Sequence, residues 1–169
     1  MPKVLFVCTG NICRSAFAER MARSLSDGSW QYASAGTGAL VGSPVDPPMA
    51  RELEARGGSA DGFAAQQVTP ELVRDADLVL CMTAAHRAWL VEEVPRALRR
   101  TTLLTRFAAG LADQPTAVGQ ELVRAVLDSR PDSRHADIAD PYRRGDEAAA
   151  TAAREIALQV WRIVRAVEG

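Results

Sequence analysis

With 169 residues the chain has the length of one ordinary domain, read as spanning 1–169, and can bury a core without disulfides or a structural metal. Lys and Arg total 20 against 21 Asp and Glu, a net charge of −1, which predicts no nucleic-acid footprint and no attraction to an anionic membrane. The odd cysteine count, Cys8, Cys13 and Cys81, argues against a disulfide framework and for a reactive thiol in a reducing compartment.

At the amino end, Lys3 to Val7 is a short apolar β-prone run. It is too brief for a signal-peptide core, and no later stretch has the length of a membrane span, so a cytoplasmic protein is expected. A turn follows, and then the helical period Phe17, Met21, Leu25. Trp30 to Ala35 reads as a second strand, Gly36 to Pro48 as a surface loop, and 48–56 as a helix. Thr69-Pro70-Glu71 has the form of an N-cap followed by proline at the first helical position. Asp77 to Met82 is a buried strand, 84–94 a helix, and Thr101 to Leu104 the last strand. Between Ala108 and Ala139, Val118, Leu122 and Val126 mark a short helix among polar loops. Ile156, Val160, Ile163, Val164 and Val167 lie along one face of a closing helix. Strands alternating with helices predict an α/β fold with a parallel sheet covered on both faces and ligands at the carboxyl ends of its strands.

The first strand runs into Cys8-Thr9-Gly10-Asn11-Ile12-Cys13-Arg14-Ser15. A loop of this length before a helix can turn successive backbone N–H groups inward and add the positive helix end, making a phosphate-binding cradle for a tetrahedral dianion. The planar fork of Arg14 suits two oxygens of such an anion, which lysine does not reproduce. The same positive field favours the thiolate of Cys8, the form that attacks phosphorus. Ser15 is placed to hydrogen-bond the sulfur, Gly10 to let the backbone turn, and Asn11 to take a left-handed conformation while its side chain holds the loop. Expelling an oxygen leaving group needs a proton donor, and Asp140, stiffened by Pro141, is the candidate. Tyr142 is a candidate wall for an aromatic ring. Cys13 is close enough in sequence to protect Cys8 through a reversible disulfide, and Cys81 reads as core. His86 and His135 read as far apart and away from the cysteines, so no zinc is expected.

The loop motif, with Ser34-Ala35-Gly36-Thr37, the strand Asp77 to Met82 and Asp140-Pro141-Tyr142, resembles the low-molecular-weight protein tyrosine phosphatase family along nearly the whole chain. The resemblance implies a three-layer fold with a four-stranded parallel sheet flanked by helices, and no metal or cofactor. It also implies Cys8 as the residue that carries a phosphocysteine intermediate, Arg14 as the phosphate clamp and Asp140 as the general acid. Substrates would be a phosphotyrosine protein or a small phosphate ester, with a cognate tyrosine kinase as partner.

Several positions depart from the family pattern. Ala16 stands where proline usually opens the helix, and Leu40 where many members carry an aromatic residue facing substrate. Phe63 and Gln66 stand where a histidine and an arginine commonly brace the phosphate loop, so a weakened brace is expected. Ile12 favours the tyrosine-type branch over the arginine-phosphatase branch, which tends to have threonine there. Alternatives carried forward are a metabolite phosphatase, suggested by Leu40 and Phe63, a thioredoxin-coupled arsenate reductase, and an anion-binding domain without turnover. The reductase needs further thiols on a mobile segment, and the residues after Cys81, among them Thr83, His86 and Trp89, supply none.

Overall fold

In the computed structural model, which describes residues 1–132 and 136–169, four parallel strands form one sheet in the order β2-β1-β3-β4. They are β1 (Lys3–Cys8), β2 (Gln31–Gly36), β3 (Leu78–Cys81) and β4 (Thr101–Leu103). The helices are α1 (Arg14–Leu25), α2 (Pro47–Glu54), α3 (Pro70–Arg74), α4 (Ala84–Glu93), α5 (Leu104–Gly110), α6 (Gly119–Ser129) and α7 (Asp146–Glu168).

The apolar runs are strands because both sheet faces are buried and successive side chains point to opposite sides. Val4, Phe6 and Cys8, with Leu78, Leu80 and Met82, join one core with the inner faces of α1, α2, α5, α6 and α7. Leu5 and Val7, with Val79 and Cys81, join the other, against Val73 of α3 and Leu90 of α4. β1 pairs on one side with β2, Cys8 opposite Gly36, and on the other with β3, Val7 opposite Cys81. The chain therefore leaves β1 at the point where strand order reverses, which opens a crevice at the carboxyl ends.

Helix starts follow local chemistry. Thr69 and Thr83 cap α3 and α4 by accepting from the N–H groups of Leu72 and His86. Gly145, at φ 90°, turns the chain into α7, whose first turn carries Asp146 and Glu147 at the positive helix end.

Two expectations are corrected. The last strand stops at Leu103, because Leu104, Phe107 and Ala108 fall on one helical face and bury it as α5. Part of the segment read as loop is thus helix, extending to Gly110. His135 lies outside the described residues.

Candidate active site

The loop between β1 and α1 is organised by where its carbonyls go. Cys8 O accepts from Thr37 N, Thr9 O from Gly38 N, Gly10 O from Leu40 N and Ile12 O from Asp46 N, at 2.8–3.0 Å. Each trans peptide holds its N–H opposite its carbonyl, so tying these oxygens to the 37–46 loop turns the N–H groups of Thr9, Gly10, Asn11 and Cys13 the other way, as an anion nest requires. Helix α1 begins at Arg14 with no side-chain cap bond and no acidic residue in its first turn, which leaves its positive end uncompensated.

Beneath the loop lies a buried polar network centred on Asn11. Its Oδ1 accepts from Gln66 N at 2.8 Å, and its Nδ2 donates to Ser15 Oγ at 2.8 Å and Ser34 Oγ at 2.9 Å. Ser34 in turn donates to the buried Glu19. Ser15 Oγ lies 2.9 Å from Cys8 Sγ and 3.4 Å from Ala35 O, so a hydroxyl that already accepts from Asn11 has the sulfur as the nearer of two acceptors for its proton. Asn11 and Ser15 are both fully buried, so their side chains work behind the loop.

The expected weak brace is corrected by this network. Gln66 braces through its main-chain N–H to Asn11 and through its Nε2 to Ser34 O at 2.8 Å. Phe63 packs into the core with the Arg20 guanidinium 5.3 Å from its ring. The role expected of Gly10 is corrected too. Asn11 takes the left-handed conformation expected of it, at φ 56°, while a Cβ on Gly10 would meet ordinary contacts, 3.6 Å from Ile12. The glycine the geometry demands is Gly36, where a Cβ would sit 2.2 Å from Thr9 O. Its place in Ser34-Ala35-Gly36-Thr37, just after the second expected strand, was the available signal.

Arg14 is buried; Nη1 donates to Ile138 O at 2.9 Å, Nη2 lies 3.6 Å from Asp140 Oδ2, and Nε has no hydrogen-bond partner. The strap carrying Asp140 is moored by Ile138 N to Met82 O and by Ala84 N to Asp137 Oδ1. Asp140 itself is half-exposed and accepts from Tyr142 N at 3.1 Å across Pro141. Cys8, Thr9, Gly10, Ile12, Cys13, Arg14, Leu40, Asp140 and Tyr142, with Gly38, line one cleft of about 190 Å³. Leu40 is exposed and Tyr142 half-buried, with the Arg143 guanidinium 5.1 Å from its ring.

Cys13 and Cys8 are both free thiols. Burial first, and then the charge of Asp46, push the Cys13 thiol well above the ordinary cysteine range. Cys81 is fully buried in β3, and burial pushes its thiol up to about 12, an inert core cysteine. No group of three or more metal-ligating side chains occurs among the described residues.

His86 was read as remote from the cysteines, and this is corrected. Its ring is buried, with Nε2 2.8 Å from Thr9 Oγ1 and Nδ1 3.0 Å from Thr83 Oγ1, so it joins the cap of α4 to the residue after Cys8. Burial, and then the Arg14 charge, hold its pKa down at about 4.

The family model for low molecular weight phosphotyrosine protein phosphatases matches residues 3–129. Among curated relatives, the low molecular weight protein-tyrosine-phosphatase Wzb of Salmonella typhi is 40% identical over 101 residues, 60% of this chain and 67% of that protein. A putative low molecular weight protein-tyrosine-phosphatase of Klebsiella pneumoniae is 32% identical over 148 residues, 88% of this chain and 85% of its own length. Among solved structures, the YwlE arginine phosphatase from Geobacillus stearothermophilus superposes with a TM-score of 0.80 at 27% identity, covering 98% of this chain and 92% of that one. Wzb from Escherichia coli K30, in complex with sulphate, gives 0.75 at 31% identity, with 96% of each chain covered.

Proposed function

The chain belongs to the low molecular weight phosphotyrosine protein phosphatase family, a family of hydrolases, and we propose that it hydrolyses phosphotyrosine in proteins through a phosphocysteine on Cys8. The thiolate of Cys8 attacks phosphorus, the phosphorus–oxygen bond to the tyrosine breaks, and Asp140 gives its proton to the departing oxygen. Arg14 holds two of the three remaining oxygens through Nε and Nη2, and the loop N–H groups receive the growing charge. In the second step Asp140, now a carboxylate, takes a proton from water as that water attacks the phosphocysteine. The sulfur leaves as thiolate, stabilised by the Ser15 hydroxyl, and inorganic phosphate is released.

The observation that carries this reading is the cleft that gathers Cys8, Arg14 and Asp140, with Ser15 2.9 Å behind the sulfur. The apolar side chain of Ile12 and the ring of Tyr142 in the same cleft favour an aryl ester. The reading takes residues 1–169 as one catalytic domain. It works in the cytoplasm opposite a tyrosine kinase, in keeping with three free thiols. Among the described residues no helix is long and apolar enough to cross a membrane.

The deciding experiment is phosphate release from para-nitrophenyl phosphate, with reductant and without added metal. Wild type turns over, Cys8→Ser is inactive, and Asp140→Ala loses about two to four orders of magnitude in kcat, the usual worth of a general acid. A metabolite phosphatase is the second reading, favoured by the exposed Leu40 at the rim. Equal kcat/KM on an alkyl phosphate and a phosphotyrosine peptide selects it.

A further inference from the structure

On another part of the surface lies a groove of about 690 Å³ that shares no lining residue with the catalytic cleft. Arg87 of α4, Arg99 of the 3₁₀ turn Pro95–Arg100, Arg106 of α5 and Arg130 after α6 line it, against Asp128 as the one acidic lining residue. In a chain of net charge −1 this is a local concentration of positive charge, and a concave wall focuses it. The guanidiniums come from four separate elements. Arg87 Nε is anchored on Thr101 O at 3.0 Å, and Arg106 stands 3.9 Å from Asp132 Oδ1. Arg99 and Arg130 are exposed and have no ion-pair partner among the described residues. Arg130 also holds a left-handed backbone, φ 48°, at a position that glycine or asparagine would fill with less strain.

We propose that this arginine groove binds a second phosphotyrosine of the same substrate segment, docking a multiply phosphorylated tail while the catalytic cleft holds the residue being hydrolysed. The inference rests on the phosphotyrosine phosphatase reading for its substrate. Phosphate is the matching anion because it offers each guanidinium fork a pair of oxygens and carries close to two charges at neutral pH. The spacing is set by the chain itself. Thr105, next to Arg106, donates to Ala136 O at 2.6 Å, and from Ala136 to Asp140 an extended chain reaches at most about 14 Å. That reach is a maximum, so a substrate strand advancing roughly 3.3 Å per residue spans it with about four residues, and longer separations leave slack.

The test uses peptides with two phosphotyrosines at separations of two to eight residues, beside controls in which the second is plain tyrosine. Binding is read by fluorescence anisotropy on the Cys8→Ser chain, which does not depend on turnover. At separations of four to eight residues the doubly phosphorylated peptide binds about tenfold more tightly, the scale of one charge-assisted contact. Adding Arg99→Glu and Arg130→Glu removes the gain. The same two substitutions in the Cys8 chain leave para-nitrophenyl phosphate turnover unchanged. Equal affinity for both peptides at every separation, or a gain that survives the charge reversal, overturns the groove. Absence of aryl phosphate turnover in wild type overturns the phosphatase reading instead, and the anisotropy difference still decides the groove.

Discussion

Asn11 does at one position what the loop needs from three directions. Its amide reaches Gln66, Ser15 and Ser34, and its own backbone takes the left-handed conformation that few non-glycine residues tolerate. Asn11→Ala removes three buried hydrogen bonds, leaves the Gln66 N–H unsatisfied and takes a donor from Ser15 and Ser34, so a stability loss of about 2–4 kcal/mol is expected, measured by urea unfolding. Turnover should fall more than substrate affinity, since Ser15 then loses the donor that turns its hydroxyl toward Cys8. A loss confined to KM would contradict that division. The two glycines by the loop make a sharper contrast. Gly36→Ala forces a Cβ to within 2.2 Å of Thr9 O, a backbone atom that does not yield cheaply, and should cost about 3 kcal/mol or more. Gly10→Ala finds its nearest neighbour at 3.6 Å and should stay within about 1 kcal/mol of wild type. Thermal melts of the pair check the claim, and it fails if the order is reversed.

At the scale of elements, β1, its loop and the start of α1 were legible because one contiguous motif specifies them. The Asn11–Gln66 contact and the His86–Thr9 contact were not, because they join residues 55 and 77 positions apart. They follow from neighbours in the sheet: 66–68 pairs with Gly36 at the end of β2, which brings Gln66 to Asn11, and β3 lies beside β1, so the turn before α4 comes to rest against the phosphate loop. The helical period of α5 was present in Leu104, Phe107 and Ala108, but it continued an apolar strand without punctuation. His86 gives this junction a pH signature. Its folded pKa of about 4 lies below the ordinary 6.5, so between those values the unfolded chain binds more protons than the folded one. The stability held by neutral His86 is therefore complete above about pH 6.5 and is lost as pH falls toward 4, on the order of 2–3 kcal/mol. His86→Gln keeps a polar partner for Thr9 and has no proton to gain. Its unfolding midpoint should fall less steeply than wild type between pH 6.5 and 4, and an unchanged slope would remove His86 from the junction.

For the molecule as a whole, the alternation of strands and helices fixed the class, and the sheet order that builds the crevice came from pairings that no local pattern encodes. What ties together the helices on the larger core is α7, 23 residues long, whose inner face of Ile156, Val160, Ile163 and Val164 packs on α1, α2, α5 and α6. Its outer face leaves Leu158 and Trp161 about half exposed. Truncation should therefore separate stability from chemistry. Ile163→Ala opens a cavity in the larger core and should cost about 2–5 kcal/mol. At about 2–4 °C per kcal/mol for a chain of this size, that lowers the melting temperature by roughly 5–20 °C. Trp161→Ala removes a larger side chain from a wetter place and should move the melt by a degree or two. Because the catalytic loop hangs on β1, β2 and the Asn11 network, kcat of the folded fraction at 25 °C should be the same for both variants and wild type. A loss of kcat in Ile163→Ala under conditions where the chain remains folded would show that α7 also sets the geometry of the loop.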